Sequence, residues 1–107
     1  MSVLNSVLLE EIERLERNIS EYQKILSSLP RGSIFIRKIG GSSYAYRKRK
    51  ENGKIVSEYL GNIDSDEAKR QIELSEEYKR IKSNIKIGNE ELMKIRKAYH
   101  FYARKRN

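Results

Sequence analysis

The chain has 107 residues, with 23 Lys and Arg against 15 Asp and Glu, a formal net charge of +8, no Cys, no Trp, one Pro and one His. Without cysteine there is no disulfide framework and no thiolate-based zinc or redox site, and no run of about 18 apolar residues offers a transmembrane helix. Met1 to Leu9 lacks a basic n-region and runs into Glu10 and Glu11, so a cytoplasmic protein is expected rather than a secreted one. A single domain over residues 1–107 is the expectation at this length. The near balance of 37% hydrophobic and 36% charged residues suits long helices with narrow apolar seams.

Residues 1–29 predict one long helix. Leu8, Ile12, Leu15, Ile19, Tyr22, Leu26 and Leu29 alternate spacings of four and three, an unbroken heptad seam that puts one stripe against a partner helix. Ser2 or Asn5 can cap its start. Pro30 ends it, because proline has no amide to donate and pushes the preceding residue out of the α region.

Residues 31–63 change period and predict a three-stranded antiparallel meander. Ile34 to Ile39 is β-branched and bounded by Gly32 and Gly40-Gly41. Asn52-Gly53 is the pair most favoured in a two-residue type I′ hairpin turn. That turn sets Lys50 opposite Ile55, Arg49 opposite Val56, Arg47 opposite Glu58, Tyr46 opposite Tyr59 and Ala45 opposite Leu60. Alternation then sorts the faces. Tyr44, Tyr46, Lys48, Lys50, Ser57 and Tyr59 share one, and Ala45, Arg47, Arg49, Val56, Glu58 and Leu60 the other. If Gly40-Gly41 is also a two-residue turn, Phe35 and Arg37 join the tyrosines, and Phe35, Tyr46 and Tyr59 form a cross-strand row.

Residues 64–103 predict a helix or a helix pair. Asp64, Ser65 and Asp66 offer N-caps. Leu74, Tyr78, Ile81, Ile85, Gly88, Leu92, Ile95, Tyr99 and Tyr102 keep the heptad spacing. Either the helix runs on through Gly88, or Gly88 is a C-cap and Asn89 starts a third helix. Residues 104–107 form a basic tail. The expected fold is α+β, with the two helices paired as an antiparallel coiled coil. Matching Leu29 with residue 65 brings the first helix's start near residue 90, so a straight second helix leaves residues 93–107 overhanging. A two-helix seam is shallow, which makes a homodimeric four-helix bundle an expected partner arrangement.

The charge is uneven. Residues 31–63 hold eight bases and two acids, and residues 93–107 hold six bases and no acid, while residues 1–30 and 64–92 each carry two more acids than bases. Two basic blocks of this kind mark places where a polyanion can sit. The candidate nucleic-acid contacts are Arg37, Lys38, Tyr44, Tyr46, Arg47, Lys48, Arg49, Lys50 and Lys54 on the sheet, and Arg96, Lys97, Arg104, Lys105 and Arg106 on the second block. Arg and Lys neutralise phosphates, Arg also reads guanine edges, and tyrosine rings stack on bases. Which sheet face the helices cover decides which of these residues reach a ligand.

No catalytic set stands out. His100, between Tyr99 and Phe101, reads as a surface or packing residue. Gly40-Gly41-Ser42-Ser43 reads as a hairpin loop rather than an anion nest. No metal cluster and no cofactor motif is present, so neither is expected. The expected function is a small non-enzymatic nucleic-acid-binding protein, with DNA ahead of RNA. The alternative is a protein-interaction module, an adaptor or a modulator of a host machine, acting through its seamed helices.

Leu29-Pro30-Arg31-Gly32-Ser33, Tyr44-x-Tyr46, Gly53-Lys54 and Tyr59-Leu60-Gly61 resemble an uncharacterised family of small prokaryotic and phage proteins, over roughly residues 10–85. That resemblance implies a helix–hairpin–helix core and an origin often linked to mobile elements. Tyr44-Ala45-Tyr46-Arg47, Gly53-Lys54 and the acidic start of the next helix are also similar to the arm-type DNA-binding domains of tyrosine integrases. The likeness implies a three-stranded sheet, backed by a helix, entering the major groove.

Overall fold

The computed structural model describes residues 3–104. It is an α+β chain of helix α1 (Val3–Ser28), strands β1 (Ser33–Ile39), β2 (Ser42–Glu51) and β3 (Lys54–Asn62), and helix α2 (Asp66–Arg104). The strands form one antiparallel sheet in the order β1-β2-β3. The chain divides into two compact units. One is helical, made of α1 through Ser27 and the chain from Ile81 onward; the other, Ser28–Arg80, holds the sheet and the first turns of α2.

In the helical unit the two seams meet. Ile12, Leu15, Ile19 and Leu92 form the buried cluster, and Ile85, Ile95 and Tyr99 pack against it. Asn5 lies inside α1 and is buried, so it is not the N-cap that its residue type suggested; Ser2, the other candidate, lies outside the described residues. α2 is one helix through Gly88. A Cβ at Gly88 would stand 3.1 Å from Ile19 Cγ1, so the missing side chain lets the two helices close at that level. This corrects the expected pairing. Ile19 meets Gly88, not a residue near 75, and Arg96 reaches Glu16 at 3.6 Å. Residues 93–99 are therefore packed on α1 rather than overhanging it. The reason is that the first turns of α2, to Arg80, belong with the sheet.

In the sheet unit both hairpins turn in two residues. Ile39 pairs with Ser42 across Gly40-Gly41, and Glu51 with Lys54 across Asn52-Gly53. Asn52 and Gly53 have φ of 51° and 79°, the two positive values that a type I′ turn requires. The expected register holds from Glu51 to Tyr46. It then shifts, so that Ala45 pairs with Gly61 and not with Leu60. A β-bulge at Leu60 absorbs the extra residue, a device that bends the strand end and terminates regular pairing. At the other end of β2, Gly32 has φ of 103°, and a Cβ there would lie 2.5 Å from the Lys48 backbone carbonyl. Only glycine fits this approach.

Ser65 starts α2. Its Oγ accepts the Ala68 N–H at 3.2 Å, and its own N–H donates to the Asn62 carbonyl at 2.9 Å. This is an N-cap that satisfies a donor of the first turn. Of the three candidates, Ser65 does this, its hydroxyl also donating to the Asn62 carbonyl at 2.7 Å.

Candidate nucleic-acid interface

The two sheet faces differ in cover and in charge. One is covered by the start of α2. Ala45 and Ala68 are completely buried, and Ser75 is buried on the same helix stripe as Ala68. Arg47 is only 3% exposed. Its guanidinium donates to the Gln71 side-chain carbonyl on α2 and, at 3.4 Å, to the Arg31 carbonyl. Arg47 was expected to contact nucleic acid; the structure instead makes it an interior strut between sheet and helix. Small residues at the contact allow α2 to come close, and the long arginine stem fills the space beside them.

Arg49 lies on this covered face at its margin, 2.8 Å from Glu58 and 3.8 Å from Glu51. Lys38 and Lys54 pair across strands with Ser43 and Glu51, which puts them on the same face. All four bases here share their side of the sheet with its two acids, Glu51 and Glu58.

The opposite face is open. β1 gives it Phe35 and Arg37, β2 gives Tyr44, Tyr46, Lys48 and Lys50, and β3 gives Ile55, Ser57 and Tyr59. Phe35 pairs with Tyr46, and Tyr46 with Tyr59, so the expected aromatic row crosses all three strands. Phe35 and Tyr46 stack at 5.3 Å with planes 17° apart, and Tyr46 meets Tyr59 edge-on at 5.5 Å. Tyr44 lies 6.1 Å from Tyr59. Arg37 Cζ sits 5.5 Å from the Tyr46 ring centroid, and Lys48 Nζ 5.4 Å from that of Phe35, both within cation–π range. Tyr59 is 58% exposed. Arg37, Lys48 and Lys50 are exposed as well, and no strand carboxylate stands on this side.

The second basic block lies in the helical unit. Arg96 is engaged by Glu16, whereas Lys97 and Arg104 are exposed on α2. Lys105 and Arg106 fall outside the described residues. His100 is exposed, with its ring 5.8 Å from that of Tyr99. Among the described residues no group of three or more His, Asp or Glu side chains could hold a metal ion, and no helix is long and apolar enough to cross a membrane.

A family model for a domain of unknown function, DUF6788, matches residues 7–70. The chain belongs to the DUF6788 family. The match runs from α1 through the whole sheet to the first turns of α2. It therefore includes the open face, Gly32 and the Ser65 cap, and it excludes Arg96, Lys97 and Arg104. The expectation of an uncharacterised family built on this helix–hairpin core is met. No curated protein and no solved structure matches the chain.

The sequence contained the sign of the face sorting. Glu51 and Glu58 share the parity of Arg47 and Arg49, so alternation alone segregates the acids from the tyrosines. The cover was the missing part, since neither face is conventionally apolar.

Proposed function

We propose that this DUF6788 protein is a small non-enzymatic nucleic-acid-binding protein, with DNA as its ligand, and that the open sheet face makes the principal contact. One observation carries the reading. Three exposed bases surround a four-ring aromatic cluster on a face without a carboxylate, while the acids of the sheet lie behind it. Such a face attracts phosphate and repels no part of a polyanion. Lys97 and Arg104 are available for additional phosphate contacts.

The test is a titration of labelled DNA at several salt concentrations. The logarithm of the binding constant should fall linearly with the logarithm of salt concentration, by about 0.7 to 0.9 for each phosphate neutralised. Lys48→Ala and Lys50→Ala should each lower that slope, and Lys38→Ala and Lys54→Ala should leave it unchanged. Absence of binding at low salt removes the proposal.

A second reading rests on the helical unit. Val3, Leu4 and Val7 of α1 and Phe101 and Tyr102 of α2 are exposed, and such side chains suit a protein partner or a second copy. A stoichiometric partner that survives nuclease and high salt, or a dimer in sedimentation equilibrium, would favour it.

A further inference from the structure

We propose, resting on the nucleic-acid reading above, that the ligand of the open face is single-stranded DNA. A base stacks on the exposed ring of Tyr59, at the end of the Phe35–Tyr46–Tyr59 row, and the phosphates are held by Arg37, Lys48 and Lys50.

Duplex and single-stranded nucleic acid present different surfaces. A duplex offers base edges in its grooves, and edges are read by side chains with paired donors and acceptors. The open face is poor in such groups. Its only guanidinium is Arg37, which lies over the Tyr46 ring, and most of the rest is aromatic or aliphatic, including exposed Ile39 and Ile55. In a groove these groups could pack only against a thymine methyl and would leave the donors and acceptors of the base edges unpaired. A single strand offers base faces instead, and base faces stack on aromatic rings whatever the sequence.

The ring geometry leaves one stacking surface. Phe35 and Tyr46 stack on each other with Lys48 and Arg37 over them, whereas Tyr59 meets Tyr46 edge-on and is 58% exposed, so a base can reach it. Tyr59 ends the row and is the most exposed of its rings. Arg37 and Lys48 lie over the Tyr46 and Phe35 rings and, like Lys50, away from the sheet's carboxylates, so the backbone can follow them without meeting like charge.

The sugar decides between DNA and RNA. A 2′-hydroxyl brought against this surface needs a hydrogen-bond partner, and burying it without one is unfavourable. The open face holds no carboxylate, and beyond the Ser57 and tyrosine hydroxyls its contact surface is ring and isoleucine, which favours the deoxyribose.

The test uses the full chain and fluorescence anisotropy with four labelled probes of equal length. These are oligo-dT, a DNA duplex, oligo-U, and an abasic deoxyribose-phosphate strand. The chain has seven Tyr and no Trp, so intrinsic tyrosine emission reports stacking directly. The expected result is oligo-dT binding about tenfold or more tighter than the other three, with quenching of tyrosine emission. Tyr59→Ala should weaken oligo-dT binding about tenfold while Tyr59→Phe keeps it. Tyr59 is exposed, so neither change threatens the fold, and a circular dichroism melt checks this. Duplex binding equal to or tighter than oligo-dT overturns the single-strand inference and leaves the nucleic-acid reading standing. Oligo-U binding equal or tighter overturns the assignment to DNA. Abasic strand binding equal to oligo-dT, or full affinity in Tyr59→Ala, overturns stacking. If no probe binds at low salt, the nucleic-acid reading itself fails.

Discussion

Replacing Arg47 separates a structural arginine from a ligand-binding one. Its side chain is 3% exposed and bonded to Gln71 and to the Arg31 carbonyl. Truncation to alanine removes two buried methylenes beyond Cβ, at about 0.8 kcal/mol each. It also removes one good charge-assisted hydrogen bond, worth about 1.5–3 kcal/mol; the 3.4 Å bond to Arg31 adds little. Relief from burying a charge offsets part of this loss. The net cost of Arg47→Ala is therefore about 2–3 kcal/mol, which for a chain of this size lowers the melting temperature by roughly 10–20 °C. Arg47→Met keeps the stem and should lose only about 1 kcal/mol. Arg37→Ala, on the open face, should change stability by no more than about 0.5 kcal/mol and weaken DNA binding instead. Thermal melts followed by circular dichroism, run beside DNA titrations, check all three. If Arg47→Ala melts like the wild type and binds DNA poorly, Arg47 reaches ligand, and the assignment of covered and open faces is wrong.

The glycines and one ion pair give further expectations. Gly32→Ala meets both a left-handed φ and the Lys48 carbonyl, a ladder group that cannot move freely, and should cost more than about 2 kcal/mol in urea unfolding. Gly88→Ala would ordinarily gain about 1 kcal/mol of helix propensity; contact with Ile19 should cancel or reverse it, and a full gain would show that the helices separate easily at that level. The hydrogen bond from Arg14 holds the Glu11 carboxyl below the usual carboxylate range; it outweighs the opposing desolvation, and the Arg14 charge adds a smaller lowering. A lowered carboxylate pKa contributes stability that is present above the unfolded-state value and lost as pH falls through the folded one. Glu11→Gln should therefore melt slightly below wild type at neutral pH, with the difference vanishing in acid.

The elements were legible in the sequence because each carries a strong local signal. Pro30 stops α1, Asn52-Gly53 turns β2 into β3, and the heptad residues mark both helices. The bulge was not legible, because Leu60 continues the apolar alternation and nothing local in the sequence marks the shift. The depth of helix pairing was hidden for a related reason. A heptad seam specifies which face of a helix is apolar but leaves sliding by whole heptads nearly free of local cost. The close contact of Gly88 with Ile19 fixes the level, and glycine in a seam reads equally as a cap or as a gap.

The cover of the sheet turns on residue size more than on polarity. Hydropathy alone favours placing a helix over Phe35, Tyr44, Tyr46 and Tyr59, since the other face carries Arg47, Arg49 and Glu58. A helix over four rings must stand away from the strands, however, and the two buried positions of that α2 stripe, Ala68 and Ser75, are too short to bridge such a gap. Against Ala45 the same stripe can close, with Gln71 meeting the guanidinium of Arg47. The burial of one arginine is thus tied to the exposure of the aromatic row. Left in solvent, those rings are held by each other and by Arg37 and Lys48, contacts worth about a kcal/mol each, well short of what burial under a helix would contribute. The face is therefore preorganised by its own row yet still has apolar surface to bury, the state from which stacking on a ligand gains most.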